Sequence, residues 1–352
     1  MLSGILMVQN VHTDDLAFCE DYLVRVSRTF AINIKILKDD AYKGLLLAYL
    51  LCRIADTIED DPEFSIDHKV QKLCEYADLF PPASNYDHHI EGFLNNINFQ
   101  QESDASELLM NTVRVFNELV KLPDNMISVI SAHVKEMALG MASFQEKGSG
   151  KEIVFLEDKE ELDRYCYFVA GTVGLMITSI FSENSSKITP KIQEKLTDRS
   201  VAFGLGLQIT NIAKDFYGDR ERGWCYVPRS FFIEEGIDPV NDSFEAKEKG
   251  YVNAHKRLIN LALTYLDEAL LYTLDIPRTL IRYRLFCLWP LFMAVESLAK
   301  LSEDQNLFRG RTVKISRDDV KRIVRNTSLA VMSDTALKYM YDRTRKQILE
   351  NA

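Results

Sequence analysis

The stretch GLLLAYLLCRIADTIEDD, Gly44 to Asp61, carries an apolar run straight into four acids, Asp56, Glu59, Asp60 and Asp61. On a helix of about 3.6 residues per turn, Asp56 and Asp60 stand one above the other on a single face, with Glu59 and Asp61 flanking. Like charges at that spacing repel by roughly a few tenths of a kcal/mol, which a solvated face tolerates. Taken alone, the acidic end is compatible with ordinary surface.

A second copy of the pattern changes that reading. LGLQITNIAKDFYGD, Leu205 to Asp219, again ends an apolar helical run with two acids four apart, Asp215 and Asp219. Such pairs at the mouths of two antiparallel helices make an oxygen-rich site for Mg²⁺. That ion binds through one or two carboxylates, keeps several waters and completes its shell with substrate phosphates. The chain has 42 Lys and Arg against 52 Asp and Glu, so it lacks the basic stripe of a nucleic-acid binder. An acidic protein can nonetheless hold a diphosphate once divalent cations stand between them.

Arg28 and Arg53 near the first pair, and Lys214, Arg220 and Arg222 around the second, would complete such a clamp. Arg53 lies three residues before Asp56 inside an apolar segment, where a charged side chain needs a partner. Asn211, one turn before Asp215, adds a neutral contact to the same helix. The runs KGLLLAYLLC (43–52) and VAGTVGLMITSIF (169–181) carry few polar atoms. Gly171 and Gly174 in the second cost about 1 kcal/mol each in a helix relative to Ala. They imply either close helix packing or a smooth channel wall beside a long hydrocarbon ligand.

Outward from these motifs, the whole chain reads as nearly all helix. It has nine prolines and fifteen glycines in 352 residues, and its apolar residues recur three and four apart. LLMNTVRVFNELVKL (108–122) predicts one amphipathic helix, closed by Pro123, which also opens the next. Turn-rich breaks at 60–65, 80–87, 146–152, 182–190, 218–224 and 234–243 leave roughly ten helices between them. No long polar linker or fixed-period repeat divides the chain, and 47% hydrophobic residues suffice for a large core, so one α domain over 1–352 is expected. The six cysteines are scattered, without a C-x-x-C pair or a neighbouring His at metal spacing, which predicts free thiols in a reducing cytoplasm. The N-terminus lacks a basic n-region. The longest apolar runs (44–52, 171–181, 287–295) fall short of the roughly 20 residues that cross a bilayer. Neither a signal peptide nor a transmembrane segment is expected.

Five segments, in order across 25–294, resemble the squalene/phytoene synthase family of head-to-head prenyl synthases. They are RVSRTFAINI (25–34), YLLCRIADTIEDD (49–61), YCYFVAGTVG (165–174), GLQITNIAKDFYGDRERGWCYVP (206–228) and RLFCLWPLFMA (284–294). The resemblance implies an all-α bundle of the class I isoprenoid synthase type. Such a bundle has a central cavity, with two acid-bearing helices opposite each other and Mg²⁺ (or Mn²⁺) bridging them to prenyl diphosphates. Carried onto this chain, the metal-associated residues are Asp56, Glu59, Asp60, Asn211, Asp215 and Asp219, and Asp56, Asp60, Asp215 and Asp219 count as catalytic. Tyr165 matches a tyrosine implicated in proton handling near the reacting carbons. Arg28 and Arg53 match diphosphate-contacting arginines. Tyr49, Val169, Ala170, Gly171, Gln208, Asn211 and Lys214 complete the implied substrate contacts. Two positions depart from the family pattern. Gly218 stands where Glu is common, and Lys214 stands where Arg is frequent, keeping the charge but losing the bidentate fork.

The family joins two prenyl diphosphates into a cyclopropyl diphosphate and ionises it again. Hydride from NADPH then gives squalene, proton loss gives dehydrosqualene or phytoene, and water capture gives a hydroxylated product. RLFCLWPLFMA resembles a Phe-Cys-x-x-Pro-x-x-x-Ala segment with Phe286, Cys287 and Pro290 in register, which implies NADPH contacts there. The expected substrate is therefore farnesyl diphosphate, with reduction, and the unreduced products are the alternative within the family. An elongating prenyl synthase or terpene cyclase would share acidic helices, but elongating enzymes usually show D-D-x-x-D, and here the adjacent acids end the motif. A di-iron bundle needs Glu-x-x-His on two helices, and no Glu here has His three residues later. A non-enzymatic helical scaffold with solvated acids is the remaining class. A monomer is expected, and an insoluble hydrocarbon product suggests transient contact with a membrane surface. Asp61, outside the four-residue register, is assigned a minor or structural role.

Overall fold

The computed structural model describes residues 14–27, 30–148, 150–303 and 313–351. The first half holds α1 (Asp15–Val26), α2 (Phe30–Lys35), α3 (Asp39–Asp60), α4 (Ile66–Ala77), α5 (Tyr86–Leu94), α6 (Asp104–Met110), α7 (Thr112–Leu119) and α8 (Asp124–Glu146). Next come β1 (Val154–Phe155), α9 (Lys159–Cys166), a π-helical turn (Tyr167–Gly171), α10 (Thr172–Glu183), α11 (Pro190–Glu221) and β2 (Trp224–Cys225). The chain closes with α12 (Arg229–Glu234), α13 (Phe244–Asp275), α14 (Ile281–Glu303), α15 (Arg317–Ala330) and α16 (Asp334–Asn351). The all-α expectation is met, with more and shorter helices than the breaks predicted.

Local chemistry sets many of the ends. Ser65, Ser103, Asp158, Ser243 and Ser316 each accept a backbone N–H in the first turn of α4, α6, α9, α13 and α15, satisfying a donor that the helix leaves orphaned. The single helix expected over 108–122 is broken at Asn111, whose backbone leaves the helical region at φ −105° and ψ 25°. Its side-chain amide donates to the Glu107 carbonyl at 2.8 Å, a local bond that competes with helix continuation. Asp61 lies past the end of α3, where its Oδ1 accepts the N–H groups of Glu63 and Phe64.

α3 is buried nearly all round, from Leu45 through Ile58, which marks it as an interior helix of the bundle. It packs on α8, while α11 lies along α13 and also touches α10, the π turn and α14. Gly174 and the π turn sit where α10 meets α11. A Cβ at Gly174 would stand 2.1 Å from the Ser200 carbonyl oxygen, and one at Gly204 would stand 2.2 Å from that of Ala170. Close backbone approach is thus the reason for glycine there. The only strand pair among the described residues, β1 with β2, is parallel, in the register Val154 to Trp224. Gly223, at φ +81°, makes the turn into β2.

Arg284, 1% exposed, is held by the carbonyls of Leu274, Ile276 and Val331 and by Asp334 Oδ1 at 2.8 Å, so it ties the start of α14 to α13 and α16. All six cysteines are free. The expectation about bilayer-length segments needs correction. Lys159–Glu183 and Ile281–Glu303 are both long and apolar enough to cross a membrane, because a helix averages over polar interruptions that an uninterrupted run does not. In the second, 89% of the apolar window is buried within the fold, as in a core helix.

Candidate active site

α3, the π turn, α10, α11 and α14 enclose a cavity of about 330 Å³. Along α3 its wall runs Leu45, Ala48, Tyr49, Cys52, Asp56, Glu59 and Asp60, one stripe at helical spacing that turns from apolar to acidic. Along α11 it runs Phe203, Gly204, Leu207, Gln208 and Asn211, again becoming polar toward the C-terminal end. Asp60 is near enough to Asp219 for its charge to raise that residue's pKa, so the two acid-bearing ends meet. Both ends are C-terminal. The two helices therefore run in the same sense across the cavity, not antiparallel as the sequence suggested.

The two acid pairs share a spacing but not an environment. Asp56, whose side chain is 35% exposed at the cavity wall, is raised to about 7 chiefly by desolvation, with Arg53 opposing the effect and Asp60 adding to it. Arg53 Nη1 stands 3.8 Å from Asp56 Oδ2, and its buried Nε has no hydrogen-bond partner. Glu59 is raised to about 8 by burial and by the charges of Asp60 and Asp56, while Gln145 Nε2 donates to its carboxylate at 3.3 Å. Lys69 caps the Glu59 carbonyl oxygen at 2.6 Å. On α11, Asp215 is exposed and Asp219 is buried. Asp219 is raised to about 7 by burial, although Arg222 Nη2 binds its Oδ1 at 2.6 Å.

Tyr165 enters from α9. Its ring stacks on Tyr226 at 4.6 Å, Tyr226 stacks on Trp224 at 5.3 Å, and Phe144 meets Tyr165 edge-on at 5.2 Å. Burial, the nearby Glu59 charge and Tyr226 hold the Tyr165 hydroxyl well above the ordinary phenol range, so it keeps its proton. The tiny β sheet positions Trp224 and Tyr226. The sequence assigned them no role, although WCYVP (224–228), separated from Asp219 only by Arg220 to Gly223, was the available signal.

Of the residues singled out from sequence, Tyr49, Asp56, Glu59, Asp60, Tyr165 and Val169 line the cavity. So do Ala170, Gln208, Asn211, Phe286, Cys287 and Pro290. Arg53, Lys214, Asp215 and Asp219 lie outside the wall, on the helix ends that form its acidic mouth. Gly171 is buried, and a Cβ there would press on Tyr167 and Val201. Arg28 lies outside the described residues.

Among the described residues no three of His, Cys, Asp and Glu converge as a ready-made cation site. The donors at the mouth are all oxygen, which suits Mg²⁺ rather than Zn²⁺. Desolvation and the charge of Asp60 raise both Asp56 and Glu59, a burden that a divalent cation relieves. These carboxyls fit a cation whose shell is completed by a ligand's phosphates.

The chain's resemblances follow this geometry. The family model described as squalene/phytoene synthase matches residues 23–319. Squalene synthase of Mus musculus is 27% identical over 318 residues, covering 88% of this chain and 69% of that protein. Squalene synthase of Schizosaccharomyces pombe is 27% identical over 328 residues, covering 92% and 68%. A structure of TcSQS in complex with the ligand BPH1237 superposes with a TM-score of 0.80 at 25% identity, covering 96% of this chain and 92% of that one. A dehydrosqualene synthase in complex with ligand shares the fold at 18% identity, with a TM-score of 0.61 over 91% of this chain and 97% of that one. A match that spans both acid-bearing helices and the cavity wall between them has one consequence: this chain is a prenyltransferase and belongs to the squalene/phytoene synthase family.

Proposed function

We propose that the enzyme condenses two farnesyl diphosphates head to head, through a cyclopropyl diphosphate, and reduces the product to squalene at the expense of NADPH. The observation that carries this reading is the grading of one cavity wall, from apolar residues at Leu45 to the carboxyls of Asp56 and Glu59, both raised by desolvation and by the charge of Asp60 beside them. Squalene synthases are among the relatives similar in sequence, which supports the squalene-forming reading.

Asp56, Glu59, Asp60, Asn211, Asp215 and Asp219 would hold Mg²⁺ (or Mn²⁺), which when bound neutralises the departing diphosphate. The buried, unpartnered Nε of Arg53 is a donor for diphosphate oxygen, with Lys214 and Arg28 as further contacts. The apolar wall keeps water from the allylic cation, and the aromatic residues Phe203, Tyr272 and Phe286 in that wall offer π systems to positive charge. Tyr165, fixed by its stack on Tyr226, relays protons through its hydroxyl rather than acting as a phenolate base. Phe286, Cys287 and Pro290 offer a nicotinamide ring an apolar wall; they supply no cationic group for the dinucleotide's phosphates.

Purified protein incubated with Mg²⁺ and farnesyl diphosphate, with and without NADPH, tests the reading. Squalene formed only with both is the expected result. Dehydrosqualene irrespective of NADPH, or consumption of geranylgeranyl diphosphate in its place, overturns it.

A further inference from the structure

α15 and α16 pack side by side on α14, and the Arg284 bonds to Asp334 and Val331 fasten the hairpin to that cavity-lining helix. Their inward residues Ile323, Thr327, Leu337, Tyr341 and Ile348 are buried. The opposite faces are not. On α15, Lys321, Arg325 and Leu329 follow one another at four-residue spacing on the open side, and Met332 continues that line into the turn. On α16, Lys338, Tyr339, Arg343, Lys346 and Leu349 share the face opposite Leu337, Tyr341 and Ile348.

Two properties of this face occur together. Its apolar side chains stand out into solvent, with Leu329 82%, Tyr339 69%, Met332 52% and Leu349 46% exposed. Single exposed hydrophobes are ordinary, but these are interleaved with cations. Over 317–351 eight Lys and Arg face five Asp and Glu, a net +3 in a chain whose net charge is −10. The acids on the open side are Asp318, Asp342 and Glu350. Lys321 with Asp318 and Lys346 with Glu350 form exposed pairs of little strength. Arg325, Lys338 and Arg343 form no ion pair with a described residue. Apolar side chains among uncompensated cations complement the headgroup region of an anionic bilayer.

We propose that the outer face of the α15–α16 hairpin docks the enzyme on an anionic lipid surface. The proposal rests on the squalene-forming reading only for its purpose, since a hydrocarbon product must leave into lipid. The docking itself stands on the exposed side chains and their charge.

Co-sedimentation of the purified full chain with vesicles decides it. Binding is expected to phosphatidylcholine vesicles containing about 30% phosphatidylserine and not to phosphatidylcholine alone, and it should weaken at least about tenfold from low to roughly 0.5 M salt. Charge reversal in the variant R325E/K338E/R343E should weaken binding by about a hundredfold, at roughly fivefold per cation removed. The variant L329S/M332S/Y339S should weaken it about tenfold through lost apolar burial. Both variants should keep the thermal midpoint and farnesyl diphosphate turnover of the parent, which separates loss of docking from loss of fold. Equal binding to neutral and anionic vesicles, unaltered binding by both variants, or a concentration-dependent dimer abolished by them would overturn the proposal. Vesicle binding without squalene formation would leave docking intact and overturn the reaction. Squalene formation without vesicle binding would do the reverse.

Discussion

The joint around Arg284 and the mouth of the cavity both withdraw charge from solvent, and they do so in opposite ways. Around Arg284 every guanidinium nitrogen is engaged: three carbonyls and Asp334 accept from it, at 2.8 to 3.0 Å. At the cavity mouth Asp56, Glu59 and Asp219 are raised by burial and by neighbouring like charges, while Arg53 reaches Asp56 only at 3.8 Å and leaves its Nε unpartnered. The first arrangement is complete as it stands. The second is unfavourable in isolation and becomes favourable with cations and a diphosphate between its acids. Satisfied charge marks the structural joint, and unsatisfied charge marks the site of chemistry.

The comparison breaks if substitutions in the two regions have the same signature. Asp56→Asn with Asp60→Asn should cost about 10⁴-fold in farnesyl diphosphate consumption, because charge neutralisation at the leaving group carries much of the rate. The thermal midpoint of that variant should be unchanged or higher, since two mutually repelling carboxylates are gone. A loss under tenfold would show that these acids are ordinary surface.

Arg284→Ala should do the converse. It strands the Asp334 carboxylate and several carbonyls, at a cost of about 3–5 kcal/mol in urea unfolding, with turnover per folded molecule unchanged. Gly204→Ala is a charge-free control with an intermediate effect. Its Cβ would press on the Ala170 carbonyl at 2.2 Å, costing about 1–3 kcal/mol, and by displacing the π turn it should change KM as well. Wild-type stability with unaltered kinetics would show that the α10–α11 seam can yield.

The smallest effect is the pH dependence of the metal-free enzyme. Asp56, Glu59 and Asp219 have folded-state pKa values of about 7, 8 and 7, above their unfolded values, so the folded state binds protons more tightly. Their destabilising contribution is fully present above the folded values and fades as pH falls through them. The thermal midpoint without divalent cation should therefore rise by a few degrees between about pH 8 and pH 6, and Mg²⁺ with inorganic diphosphate should flatten that slope. Asp319 and Asp334, whose pKa values are lowered by their cationic partners, contribute stability that is lost only at lower pH, outside this window.

Much of the molecule was legible in the chain. Apolar residues three and four apart specify helices, and acids four apart must share a helix face whatever surrounds them, because both follow from backbone geometry within a few residues. The apolar-to-acidic grading of Gly44 to Asp61 likewise foretold a wall that changes character along its length. Neighbours far along the chain decided the rest. Asp60 meeting Asp219 set the relative sense of α3 and α11, the carbonyl of Ala170 explains Gly204, and a two-residue strand pair brought Trp224 and Tyr226 to Tyr165. Equal spacing at Asp56/Asp60 and Asp215/Asp219 said nothing of which carboxyl is buried, which is exposed and which is tied to an arginine. Spacing is a property of the local backbone, whereas burial and charge compensation depend on groups that only folding brings together.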